Sequence, residues 1–290
     1  MQYHVDGRLV PEDEATVSVL DRGFMYGDAA FETLRVYGGA PLEWAAHRDR
    51  LHHTAETLGF ADAVPDDLRE RVDETLDANA LGEAYCKLSV SRGVQPGTLD
   101  PQPEVDPTVV VVVTPLPRGG RDGERVWDDP ATVQTVRTRR VPDDALPADI
   151  KSHNYLNGIL GRLELRTSAG DGDPADECIL RDVDGNIAEG ATSNLFFVTE
   201  NGLRTPSAEL DLLPGVTRDI VIDLARDEGF PVETGAYSLD ALRNADEAFL
   251  TNSTWEIRPV ETVDGIEVGA GPMTKLLQRL YDERVEADCY

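Results

Sequence analysis

Apolar residues recur along this chain in two rhythms, a period of two and a period of three to four, and the switches between them lay out its elements. Residues 2–10 (QYHVDGRLV) predict a strand, a turn at Asp6-Gly7 and a second strand. Phe31 to Tyr37 alternates and runs into Gly38-Gly39, so it reads as a strand ending in a turn. Leu42 to Leu58 carries apolar residues at helical spacing and stops at Gly59, and Leu68 to Leu81 does the same before Gly82. Ala84 to Val90 and Thr108 to Val113 read as strands. The second is an almost unbroken valine run, the pattern of a strand buried on both faces.

From Thr114 to Gly123 proline and glycine cluster with no apolar rhythm, the composition of an interdomain linker. The pattern then resumes with a strand at Thr132 to Arg137 and a helix at Tyr155 to Ser168. A two-stranded hairpin is expected from Glu177 to Val198, turning at Asp184-Gly185. Helices fit Val216 to Glu228 and Met273 to Val285, and strands fit Glu247 to Thr251 and Val260 to Val263. Neither half shows regular βαβ alternation, so the class is α+β. The expected division is a smaller α+β domain at 1–117, a linker at 118–125 and a larger domain at 126–290. No G-x-G-x-x-G or P-loop follows a strand, which counts against nucleotide cofactors.

Charge narrows the partners. The 290 residues carry 55 acidic and 27 basic side chains, a formal charge of −28. Such a chain repels nucleic-acid phosphates and anionic membranes. No apolar run approaches the ~20 residues of a membrane helix, and Met1-Gln-Tyr-His lacks the start of a secretory leader. Cys86, Cys178 and Cys289 form no C-x-x-C pair, and the five histidines show no metal spacing, so neither a disulfide framework nor a metal site is expected. These features fit a cytoplasmic protein. Only three of the basic residues are lysines, Lys87, Lys151 and Lys275. One of them, Lys151, stands between a proline-containing loop and a helix.

Three segments carry the chemistry. Asp149-Ile-Lys151-Ser-His-Asn-Tyr155 puts an amine at a loop–helix junction. Asp184-Gly-Asn-Ile-Ala-Glu189-Gly-Ala-Thr-Ser-Asn194 puts a carboxylate on a strand ahead of small residues. Leu212-Leu213-Pro-Gly215-Val216-Thr217 is a glycine turn opening a helix, a natural anion site. Taken singly, each is better explained as a solvated or packing residue. In this order they resemble the class IV aminotransferases, the fold-type-IV pyridoxal phosphate (PLP) enzymes, a group that includes branched-chain and D-amino-acid aminotransferases and aminodeoxychorismate lyases. The resemblance implies a two-domain α+β enzyme with PLP in the interdomain cleft, acting as a homodimer.

It also implies roles. Lys151 would condense with the cofactor's aldehyde and afterwards shuttle the α-proton. Glu189 would keep the pyridine nitrogen protonated, with Asn194 supporting it. Tyr155 would bond the phenolic oxygen, and Leu213 would pack on the ring. Arg50, the amides of Val216 and Thr217, and Ser253 with Thr254 would hold the phosphate. Tyr26 and Phe31 would shape the substrate side, where Arg35 and Arg92 are equally readable as carboxylate contacts or as structural ion-pair partners.

The implied activity is transamination between an α-amino acid and a 2-oxo acid. Glu256-Ile-Arg-Pro-Val260 resembles the aminotransferases. Phe31-Glu-Thr-Leu-Arg35 and Ser91-Arg-Gly93 also resemble aminodeoxychorismate lyases, which makes pyruvate elimination the alternative. A non-catalytic PLP-binding relative is a third reading.

The acid is spread over the whole chain rather than gathered in a tail, the composition of a halophilic protein. The folded fraction should therefore be larger in molar salt than in dilute buffer, as read by circular dichroism. Equal stability in both would remove the idea.

Overall fold

The structure is a computed structural model that describes residues 1–118 and 126–290. Most of the expected linker, 119–125, lies outside the described residues. The chain divides into two compact units. The first comprises Met1–Arg118, Ile150–Asn154 and Val285–Tyr290, and the second Gly119–Asp149 and Tyr155–Arg284.

The first unit begins with β1 (Gln2–Val5) and β2 (Arg8–Pro11), joined through Asp6 and Gly7 at φ +47° and +80°. That two-residue turn with both φ positive is why Asp-Gly stands there. Next come α1 (Arg22–Tyr26), β3 (Ala29–Tyr37), β4 (Ala40–Pro41), α2 (Trp44–Thr57), α3 (Leu68–Ala78), β5 (Ala84–Ser91) and β6 (Thr108–Pro115). The strands form an antiparallel sheet in the order β2-β1-β6-β5-β3-β4. One face is the hydrophobic core, where Leu34, Val36, Cys86, Leu88, Val109, Val111 and Val113 meet Leu51, Leu68, Val72 and Leu76.

Two expectations change here. The valine run of β6 is not buried on both faces: Val109, Val111 and Val113 are buried while Val110 and Val112 are half-buried. An antiparallel sheet needs only one covered face, and this one lays α2 and α3 on one side. The second helix ends at Ala78 rather than Leu81. Asn79 leaves it because its side chain exchanges two hydrogen bonds with the main chain of Gln2 at 2.8 Å each.

The second unit contains β7 (Ala131–Arg139), α4 (Leu156–Ala169), β8 (Glu177–Arg181), β9 (Ile187–Glu189), β10 (Asn194–Thr199) and β11 (Gly202–Pro206). It continues with α5 (Val216–Asp227), β12 (Val232–Gly235), α6 (Leu239–Arg243), β13 (Glu247–Asn252), β14 (Glu256–Val263), β15 (Ile266–Glu267) and α7 (Pro272–Cys289). The last turn of α7 is counted with the first unit. The sheet runs β12-β11-β10-β13-β14-β7-β8-β9, with β15 against β14. The pairs β11/β12, β14/β7 and β7/β8 are parallel.

The expected two-stranded hairpin from Glu177 to Val198 is three strands. β8 and β9 do form a hairpin around Asp184-Gly185, but β10 pairs with β11 and β13 instead. The break has a cause. The buried Glu177 carboxylate accepts from the amide and hydroxyl of Thr192 (3.3 and 3.2 Å) and from Ser193 Oγ (3.2 Å). This ties 190–193 into a tight turn, and β9 stops at Glu189.

Candidate active site

In the first unit the chemistry gathers where Ile150–Asn154 runs along the start of β3. Phe31 N donates to Lys151 O (2.9 Å), His153 N to Ala29 O (3.0 Å), and Ala30 bridges Ser152 in antiparallel fashion. Lys151 N donates to Thr54 Oγ1 of α2 (3.0 Å). The lysine's main chain is thus fixed by a strand on one side and a helix on the other. Its Nζ lies 4.7 Å from the centroid of the Phe31 ring.

A second amine shares that ring. Lys87 Nζ, on β5, is 4.8 Å from the same centroid. Burial, and then the Lys151 charge, lower the Lys87 pKa. The ring of His153 meets Phe31 edge-on at 5.5 Å, and its Nε2 is 3.2 Å from Ser89 Oγ. Burial, seconded by the Lys87 charge against a weaker pull from Asp21, brings the His153 pKa down to about 4.

Behind β3 lies a buried charge cluster. Glu32 sits on the core-facing side of the strand, 1 % exposed. Its carboxylate accepts from Arg50 Nε (2.8 Å) and Nη2 (2.7 Å) and lies 2.7 Å from His47 Nδ1. His47 and Arg50 are three residues apart on α2, so both face the strand. Burial pushes the Glu32 carboxyl up, but Arg50 and His47 together outweigh it and hold it at about 2. Burial, with Arg50 and Lys151 nearby, lowers the His47 pKa against the opposing pull of Glu32. His153 is therefore a neutral imidazole at neutral pH.

The other candidates of this unit are differently employed. Arg35 is 1 % exposed, donates to Pro117 O and lies 5.1 Å over the Tyr37 ring. Arg92 is buried as well, bonding Asp28 (2.7 and 3.3 Å) and the carbonyls of Leu58 and Gly59. Both arginines bind elements of the first unit together. Tyr26, at the end of α1, is exposed and sits under the Arg22 guanidinium.

In the second unit Glu189 closes β9. Its Oε1 is 2.9 Å from Arg140 Nε, and its Oε2 accepts from Leu213 N (3.1 Å). Arg140 also bonds Asp211 O (3.0 Å) and Asn157 Oδ1 (3.2 Å). Asn194 Nδ2 donates to Leu213 O (2.9 Å), so Asn194 reaches Glu189 through the Leu213 peptide. A Cβ on Gly215 would stand 2.0 Å from Asn194 Oδ1, so only glycine fits there. Gly215 caps α5 without a side-chain bond, which leaves the Val216 and Thr217 amides at an uncapped helix start. Asn252 Oδ1 accepts from Thr254 N, Thr254 Oγ1 and Trp255 N (3.0, 3.0 and 2.7 Å), shaping the turn that carries Ser253 and Thr254. Tyr155 stands half-buried at the start of α4.

Sequence reasoning passed over Glu32, His47, Lys87 and Arg140. The scarcity of lysine was a signal for Lys87. The H-x-x-R spacing of His47 and Arg50 placed the two on one helix face, but nothing local showed that Glu32 would sit opposite. Arg140 stood 49 positions from its partner with no motif to join them.

Comparison with known proteins supplies the rest. Residues 29–263 match the family described as amino-transferase class IV. A putative branched-chain-amino-acid aminotransferase of Methanocaldococcus jannaschii is 37 % identical over 98 % of this chain and 96 % of its own. The aminodeoxychorismate lyase of Bacillus subtilis is 34 % identical over 98 % and 94 %. The crystal structure of the branched-chain aminotransferase of Thermoproteus uzoniensis with norvaline superposes with a TM-score of 0.88 at 29 % identity, covering 99 % of this chain and 95 % of that one.

Proposed function

Because the chain belongs to the class IV aminotransferases, enzymes dependent on PLP, we propose that it moves an amino group between an α-amino acid and a 2-oxo acid with Lys151 as its reacting amine. The observation that carries this reading is the fixed main chain of Lys151, which delivers a primary amine beside the Phe31 ring.

The residues present fit the cofactor's groups. Arg50 is a guanidinium fork suited to the phosphate, and the uncapped start of α5, with Gly215 leaving room at its cap, is a second anion site. The buried Glu189 carboxylate, aimed by Arg140 and the Leu213 amide, is the acceptor for the pyridine nitrogen's proton. Tyr155, Leu213, Ser253 and Thr254 are assigned to the phenolic oxygen, the ring face and the phosphate. When bound, PLP supplies an electron sink for the substrate's α-carbon. Lys151 Nζ takes the α-proton and returns it.

Lys87 is the cation best placed for a substrate carboxylate. Arg35 and Arg92 serve main-chain carbonyls and Asp28, whereas Lys87 flanks the same ring as Lys151. Replacing Lys87 by methionine should raise KM for the amino acid about tenfold, with kcat changed little. An unchanged KM would take Lys87 off the substrate side.

A homodimer is the assembly that suits α4, whose Leu156, Ile159, Leu160 and Leu163 are all exposed at helical spacing. Light scattering that gives the mass of a single chain would refute it. The three free cysteines suit a reducing cytoplasm.

The protein loaded with PLP should be yellow, and an amino donor without acceptor should bleach it to the pyridoxamine form. Lys151→Ala should lose at least about 100-fold in turnover. Pyruvate release from aminodeoxychorismate without bleaching would instead establish the lyase reading, which the identity to the Bacillus subtilis enzyme favours. Full turnover by Lys151→Ala would end both.

A further inference from the structure

A carboxylate on the core side of a strand is an expensive thing to bury, and Glu32 has no need to be there for the sake of packing. Its neighbours two residues away on that face, Ala30 and Leu34, belong to the hydrophobic core. An ionised group in such a place persists only when its lone pairs are met by well-aligned donors. Glu32 is met in that way. Arg50 approaches both carboxylate oxygens, with Nε at 2.8 Å from one and Nη2 at 2.7 Å from the other. This parallel two-bond pairing fixes the plane of a guanidinium as well as its position.

His47 completes the arrangement. The ionised Glu32 can only accept, so the proton of the 2.7 Å contact lies on His47 Nδ1. The imidazole is 3 % exposed. It meets the same carboxylate oxygen that accepts from Arg50 Nη2. The flexible member of the cluster, the long Arg50 side chain, is held by Glu32, and Glu32 in turn by His47.

We propose that Glu32 is a positioning residue, braced by His47, whose function is to hold the Arg50 guanidinium in a set orientation for the phosphate of the cofactor. The proposal rests on the reading of Arg50 as a phosphate-binding residue. A two-bond clamp on one edge leaves the fork unable to swing about its Cδ–Nε bond without breaking a charge-assisted hydrogen bond. The arginine then loses little rotamer freedom when an anion arrives. Glutamine cannot do the same work, since it offers one oxygen and turns an NH2 group towards the guanidinium donors. Aspartate keeps the charge, but its carboxylate is withdrawn by roughly 1.5 Å, one carbon–carbon bond.

The test compares PLP with pyridoxal, which lacks the phosphate but keeps the aldehyde. The full-length protein, freed of cofactor, is titrated with each and both dissociation constants are read from absorbance. Glu32→Gln and Glu32→Asp should each weaken PLP about tenfold or more while pyridoxal stays within about twofold. A merely structural role would lower thermal stability and move both ligands together, or neither, and would overturn the proposal. An Asp variant that keeps the full preference while Gln loses it would make the role one of charge rather than position, and would overturn it too. If Glu32→Gln does not fold, Glu32→Asp alone decides between the same outcomes. Arg50→Met separates the two layers of the argument. If it leaves the preference for PLP intact, the phosphate reading of Arg50 is wrong. If it abolishes the preference while the Glu32 variants retain it, that reading stands and the positioning role falls.

Discussion

The chemistry of the first unit depends on the hydrogen bonds that tie Ile150–Asn154 to the start of β3. Phe31 N to Lys151 O and His153 N to Ala29 O make five residues from the later chain an extension of the sheet. A lysine side chain has four rotatable bonds and would otherwise sweep a wide volume. With its main chain bonded to β3 and to Thr54, the amine is confined to the reach of the side chain alone. Because successive residues of β3 point to opposite faces, Phe31 falls on the side of Lys151 and Lys87, while Glu32 falls on the side of α2. One strand thereby presents an aromatic ring to two amines and an anchoring carboxylate to Arg50.

Buried carboxylates recur as fasteners elsewhere. Glu177 closes the turn between β9 and β10. Glu247 accepts from the amides of Met273 and Thr274 and from Thr274 Oγ1 (3.0, 2.7 and 2.7 Å), which caps α7 from a neighbouring strand. Glu189 is held between Arg140 and Leu213 N. In each case N–H or O–H donors meet the oxygens that water has left, the condition for an anion to survive burial. Concentrated salt screens exposed charges within a few ångströms and reaches these buried bonds far less.

Much of this was legible in the sequence, and the failures have a common form. Elements whose signal is local were found: the Asp6-Gly7 hairpin, the helix stopped by Gly59 and the helix opened by Gly215. Lys151, Glu189 and the Gly215 turn stood out because each lies in a short run with its own chemistry. What the sequence withheld depends on partners far away. β10 looked like the second strand of a hairpin because Phe196, Phe197 and Val198 follow Glu189 closely. Its actual partner, β13, lies some fifty residues on. The end of α3 depended on Asn79 meeting Gln2, 77 positions earlier. Glu32 read as one more acid in an alternating strand, since its register against α2 is a tertiary fact. Arg140, for the same reason, could not be joined to Glu189.

The near absence of lysine then takes on a physical meaning. Arginine keeps its charge under any burial, presents a planar fork and bonds carbonyls and carboxylates at fixed angles. It does the structural work here: Arg22 and Arg92 share Asp28, Arg35 holds Pro117 O, and Arg258 joins Asp176 and Asp129 O. A lysine in any of these places would supply a point charge without the planar fork that fixes these angles. Lysine, unlike arginine, gives up its proton readily when buried. Of the three lysines, Lys275 is exposed on α7, and the other two stand on one aromatic ring. There burial and the neighbouring charge lower the affinity of Lys87 for its proton. The division between the two basic residues thus follows their chemistry: arginine where a planar fork bonds fixed acceptors, lysine where a compact amine stands beside the Phe31 ring.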